Sequence, residues 1–199
     1  MTIKRGEAWG SAAPLPDDGV LVHTDAEAGE ALEDARRRGL PLPTLGLLGG
    51  DLCRTLGGTG DAARLRSADA MTFPVDLGEV LADGRIHLFV AHVVAGSRLR
   101  FVAMNAQWLG EWNTGPRGHP NDGRLDVYES QLSWLDWWQV RRRLPQGAHL
   151  PHPRIDERRV PAVQVTFDKP LPVHVDGRAI GDVHNLSVRV APDALRVVV

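Results

Sequence analysis

Cysteine is almost absent: Cys53 is the only one in 199 residues. No intramolecular disulfide can form, so the chain is not a stapled extracellular scaffold. Lysine is scarce too, two against twenty-one arginines. A formal net charge of -2 and a pI near 6.4 exclude a dominant electrostatic attraction to nucleic acid, although arginine clusters leave room for local basic patches. No apolar run approaches the roughly 18 residues that a membrane span requires, and the polar first ten residues do not read as a signal peptide. These absences predict a cytoplasmic protein with no nucleic-acid partner and at most peripheral membrane contact. The eight histidines show no metalloprotease spacing, and His149 with His152 reads as a corner rather than a zinc site. What is present is a 43% hydrophobic composition, enough at this length to bury a proper core.

Residues 1–18 carry Gly, Pro and acids without periodicity and read as an irregular arm. Val20, Leu21 and Val22 predict a short buried strand. The Ala, Glu, Leu and Arg pattern from Asp25 to Arg38, with Gly39 at the C-cap position, predicts a helix, and residues 45–48 a second strand. This is one βαβ unit. Beyond Val75 short apolar, β-branched runs dominate: 86–94, 101–104, 124–129, 163–168, 173–175, 186–190 and 195–199. Asp83-Gly84 and Asp176-Gly177 are signals for two-residue hairpin turns of type I′. One helix interrupts the strands, Gln131 to Arg143, ended by Pro145 and Gly147. Spacing from Leu132 turns Leu135 and Trp138 toward the core; its tryptophans beside arginines also suit a membrane interface or a stacking partner. The fold class expected is α+β: a reduced α/β part over 19–72, then a β-sandwich-like part over 73–199 with one inserted helix.

The order of motifs after Asn105 is distinctive. His119-Pro-Asn-Asp-Gly-Arg-Leu-Asp126 places an Asp-Gly turn before a strand. Gly147-Ala-His149 and Pro151-His-Pro153 follow the helix, and Pro170-Leu-Pro-Val-His-Val-Asp-Gly177 leads into the final strands. This succession resembles the substrate domain of bacterial diacylglycerol kinases and their lipid-kinase relatives. The resemblance implies transfer of the ATP γ-phosphate to a lipid hydroxyl. It also implies a structural Mg2+ or Ca2+ held by Asp122 with the carbonyls of His119 and Arg124, oxygen donors that suit such ions, and a general base near the acceptor at Asp176. The relatives' glutamate two residues on is Arg178 here, expected to pair with Asp176 and lower its pKa, or to dock an anionic group.

On the nucleotide side the likeness is fragmentary. Of the relatives' first glycine loop only Asp25 remains, within His23-Thr-Asp-Ala-Glu27. Glycines there let backbone N–H groups approach phosphate, and Glu27 would repel it. The second loop aligns with Gly49-Gly50-Asp51, or in a competing register with Gly58-Thr-Gly-Asp61. Relatives also carry a strand and helix before the first loop, and a segment between residues 96 and 101, that this chain lacks. The implied phosphate contacts are thus Asp25, Gly49, Gly50 and Asp51. The residues themselves favour a degenerate relative that binds a lipid, an anionic small molecule or a partner protein. The alternatives are an active lipid kinase and a subunit, in a homo-oligomer or beside a second chain, that receives its missing nucleotide elements from that partner.

Overall fold

The computed structural model describes residues 9–199. The first eight residues of the expected irregular arm lie outside the described residues, and within the remainder Ser11–Ala12 form a short strand, β1. The βαβ unit follows as expected: β2 (Val20–Val22), α1 (Asp25–Arg37) and β3 (Leu45–Leu47), with β2 parallel to β3. Local chemistry fixes α1. The Thr24 side chain accepts the Glu27 N–H, acids fill the first turn and arginines the last, as a helix dipole favours. Gly39 takes a left-handed φ of 66° so that the Leu40 N–H can return to the Ala35 carbonyl, which closes the helix. Ala28, Leu32 and Ala35 form the buried stripe.

Two short helices come next, α2 (Gly50–Thr55) and α3 (Ala62–Leu65). The β-rich remainder is β4 (Met71–Ala82), β5 (Arg85–Phe89), β6 (His92–Ala95), β7 (Phe101–Met104), β8 (Leu125–Ser130), α4 (Trp134–Arg143), β9 (Ile155–Val160), β10 (Ala162–Val175) and β11 (Arg178–Val198). Hydrogen bonds run through the order β1-β4-β11-β10-β6-β7-β8-β9, with β3 joined to β11 in parallel and β5 to β4. The long β4 and β11 serve two cores. Val80, Val188 and Val190 pack with Phe89, Phe101 and Val173 on the sandwich side, while Val75, Leu77, Leu195 and Val197 pack with Leu32, Leu45 and Leu52 on the α/β side. The fold is α+β with a β-sandwich-like C-terminal part. Among the described residues no helix is long and apolar enough to cross a membrane.

Both hairpin signals hold, with positive φ at Asp83 and Gly84 and at Asp176 and Gly177, the backbone that a type I′ turn demands. The apolar run 86–94 does not form one strand. It breaks at Val90 and Ala91, whose N–H groups leave the ladder for the Asp176 carboxylate. The final runs fuse instead into β10 and β11, each with an irregularity, at 166/171 and 191/195.

Helix α4 is rotated relative to the sequence expectation. Ser133 and Asp136 form a reciprocal capping box that starts the helix at Trp134, so Leu132 lies ahead of it and does not set its phase. Val140 is buried, and Trp137 packs edge-on against Trp112 with ring centroids 5.7 Å apart. Leu135 and Trp138 are exposed.

Candidate functional site

The loops at the carboxyl ends of β2 and β3 meet at Asp25 and Gly49-Gly50. In a doubly wound sheet this is where a ligand's phosphate is held. Here the anion is the chain's own: Asp25 accepts the Asp51 N–H at 2.5 Å through Oδ2 and the Leu52 N–H at 3.1 Å through Oδ1. The glycines permit that contact. A Cβ on Gly50, whose φ is +93°, would lie 2.6 Å from Asp25 Oδ1, and one on Gly49 would lie 2.5 Å from the His23 carbonyl oxygen. Burial raises the Asp25 pKa, against the pull of the two amides. A phosphate would have to expel this carboxylate, so the residues present do not fit ATP at these positions.

Asp51 points away from that nest. Its Oδ2 lies 2.9 Å from His92 Nε2, and both its oxygens accept the Gly110 N–H. Burial works against the carboxylate, but the His92 hydrogen bond and the Gly110 amide prevail and lower its pKa. The loop bearing Gly110 is pinned from the other side by Arg54, which donates to the Gly110 carbonyl and stacks its guanidinium 3.5 Å from the Trp108 ring centre. The competing glycine register, Gly58 to Asp61, instead leads into α3, where Asp61 caps the helix by accepting the Ala63 N–H.

Asp176 sits at the β10–β11 turn and faces inward. Its carboxylate accepts three consecutive backbone amides, from Val90 at 2.7 Å, Ala91 at 3.0 Å and His92 at 2.9 Å. Burial pushes its pKa up to about 7, only partly offset by His92 and the amides. This corrects the expected pairing with Arg178. The Arg178 guanidinium turns instead to Glu33 on α1, 2.9 Å away, and to the Leu88 carbonyl. In consequence Asp176 is raised rather than lowered, and Arg178 is not free to dock an anion.

Asp122 occupies the Asn-Asp-Gly turn as expected, with its Oδ1 accepting the Arg124 N–H at 3.0 Å. Its other oxygen meets the Arg159 guanidinium, which also holds buried Asp126. A cation of this chain's own thus stands against the carboxylate, and the donor set does not fit Mg2+ or Ca2+. Among the described residues no group of three or more His, Cys, Asp or Glu is placed to hold a metal.

Four residues went unnoticed in the sequence. Asp76 ties β4 to the Asp122 turn and the β11 bulge by accepting the Gly123 and Asp193 N–H groups. Its sequence signal is a carboxylate between buried Val75 and Leu77. His92 joins Asp51 at the start of α2 to the Asp176 turn. Glu33 and Arg159 carry no local signal, because their partners are distant in the chain.

A β-sandwich-like part continuous with a βαβ unit is a lipid-kinase-like fold. Residues 66–199 match the YegS C-terminal NAD kinase beta sandwich-like domain. That span is more than half of the chain, and the chain belongs to this family. Three solved structures from Bacillus anthracis str. Sterne share the fold. One, described as a diacylglycerol kinase, superposes with a TM-score of 0.62 at 14% identity, covering 90% of this chain and 75% of that one. Two described as putative diacylglycerol kinases give 0.62 at 12% and 0.63 at 14%, each covering 90% of this chain and 76% and 77% of theirs. At such identities the likeness is one of fold. Comparison with curated proteins gives no match.

Proposed function

We propose that this chain is a non-catalytic member of the lipid-kinase-like class, which binds a ligand or a partner protein without transferring phosphate. The observation that carries the reading is the occupied nest: the Asp51 and Leu52 amides are already satisfied by Asp25. The Asp25 carboxylate is what a triphosphate would have to displace, and the two anions would repel at close range. Asp176 supports the same reading, because a general base must reach its proton through a hydrogen bond. The residue is 5% exposed and its carboxylate already accepts three amides.

One observation favours an active lipid kinase as the second reading. A carboxyl pushed to about 7 is poised for proton transfer near neutral pH. The two readings separate in an assay of phosphate transfer from radiolabelled ATP to diacylglycerol in mixed micelles with Mg2+. No labelled lipid above the protein-free control is expected. Saturable turnover that disappears in Asp176→Asn, with Asp76→Asn retaining it, would establish the kinase instead.

A further inference from the structure

Helix α4 carries an uncovered apolar stripe. Trp134 is 68% exposed, Leu135 67% and Trp138 53%. At 3.6 residues per turn these positions share one side of the helix with Arg141 and Arg142, and all three arginines of the last turn are exposed. The Arg142 guanidinium lies over the Trp138 ring, 4.6 Å from its centre. The opposite side is committed to the protein through buried Val140 and the Trp137–Trp112 contact. The one acid of the helix, Asp136, faces away from the stripe and is engaged twice, by the Ser133 cap and by Arg154 at 3.0 Å.

We propose that this face of α4 docks the protein on an anionic lipid surface, with Trp134, Leu135 and Trp138 entering the interfacial layer and Arg141 and Arg142 meeting lipid phosphates. Indole rings favour that layer because one edge is polar and the face apolar, and arginine stems can lie along apolar surface while the guanidinium reaches phosphate. Charge complementarity selects this occupant over a second copy of the chain. In a two-fold contact the same patch meets itself, and the stripe contains no acid to answer its arginines. An anionic bilayer supplies that counter-charge. The docking face shares no residue with the Asp25 and Gly49–Asp51 loops and stands whether or not the chain transfers phosphate.

The test is co-sedimentation of the full chain with vesicles of phosphatidylglycerol and phosphatidylcholine, against vesicles of phosphatidylcholine alone. Saturable binding to the anionic vesicles is expected, weakening as salt is raised. Trp134→Ser/Leu135→Ser/Trp138→Ser and Arg141→Gln/Arg142→Gln should each reduce partitioning by about tenfold or more. Both sets of side chains are exposed, so both variants should keep the wild-type melting temperature. Equal partitioning of wild type and the triple variant would overturn the proposal, as would equal binding to neutral vesicles. So would a wild-type dimer in light scattering that the triple variant dissolves, with no vesicle binding, since a second copy would then be the occupant.

Discussion

His92 Nε2 stands 2.9 Å from Asp51 Oδ2 in a pair that is almost closed to solvent. The same residue's peptide N–H donates to Asp176, so one histidine links the start of α2 to the β10–β11 turn. Burial alone would suppress an imidazolium, yet the hydrogen bond to Asp51 and the charges of Asp176, Asp51 and Asp25 raise the His92 pKa. Removing one partner of a buried pair leaves the other uncompensated. His92→Leu is expected to cost about 3 kcal/mol in urea unfolding, and a cycle with Asp51→Asn should show a coupling of about 1 kcal/mol or more. Additive losses would mean that the pair is not an interacting unit.

Asp25→Ala removes the internal anion. Two amides then lose their acceptor, at roughly 1–3 kcal/mol each, partly offset because a buried carboxylate is also removed. A net loss of about 2 kcal/mol is expected, measured by urea unfolding. Inorganic phosphate should restore part of it in the variant and do nothing to the wild type. An Asp25→Ala protein as stable as wild type would contradict the occupied nest.

Arg159 supplies the positive charge at Asp122 and Asp126. Neither Ca2+ nor Mg2+ is therefore expected to raise the wild-type melting temperature, whereas Arg159→Met should be destabilised at neutral pH by about 1–2 kcal/mol, because solvent screens the half-exposed guanidinium while Asp126 is buried. Buried Asp126 has a carboxyl pushed up to about 6, and Asp76 nearby likewise. The penalty should therefore shrink below that pH as Asp126 protonates. A Ca2+-dependent rise in wild-type melting temperature would instead return the ion to this turn.

Stability should fall as pH rises toward and through neutrality. The folded state holds protons on Asp176, at about 7, and on His92, raised above 6.5, after the unfolded chain has released its own. Stability that is present at lower pH is then lost as pH passes through the folded values. His119 and His149 act with the opposite sign, because burial lowers both below 6.5, but their effect is confined to more acidic solution. Urea midpoints measured from pH 6.5 to about 7.5 should decline, and a flat or rising series would count against protons held on Asp176 and His92 in the folded state.

Local features of the fold were legible in the sequence. The Ala, Glu, Leu and Arg pattern and Gly39 announced α1, and Asp-Gly pairs announced both hairpins, because these signals act within a few residues. Strand β4 was obscured by Pro74 and Gly78. Gly78 is required because the Phe89 ring lies where a side chain would stand, 2.3 Å from a Cβ built there. The α4 phase was misread because the cap at Ser133, not the apolar Leu132, starts the helix. The site pairs His92–Asp51, Arg178–Glu33 and Arg159–Asp122 join residues distant in the chain, and no local pattern encodes which cation meets which carboxylate. Asp25 was identified by position, but whether it would face phosphate or replace it depended on the approach of two loops.

The nest at Gly50, Asp51 and Leu52 is occupied by the protein's own Asp25. Isothermal titration of the full chain with Mg-ATP tests it most directly. A featureless heat trace up to millimolar nucleotide is expected for wild type, and a saturable one-site isotherm abolished by Gly50→Val would contradict it.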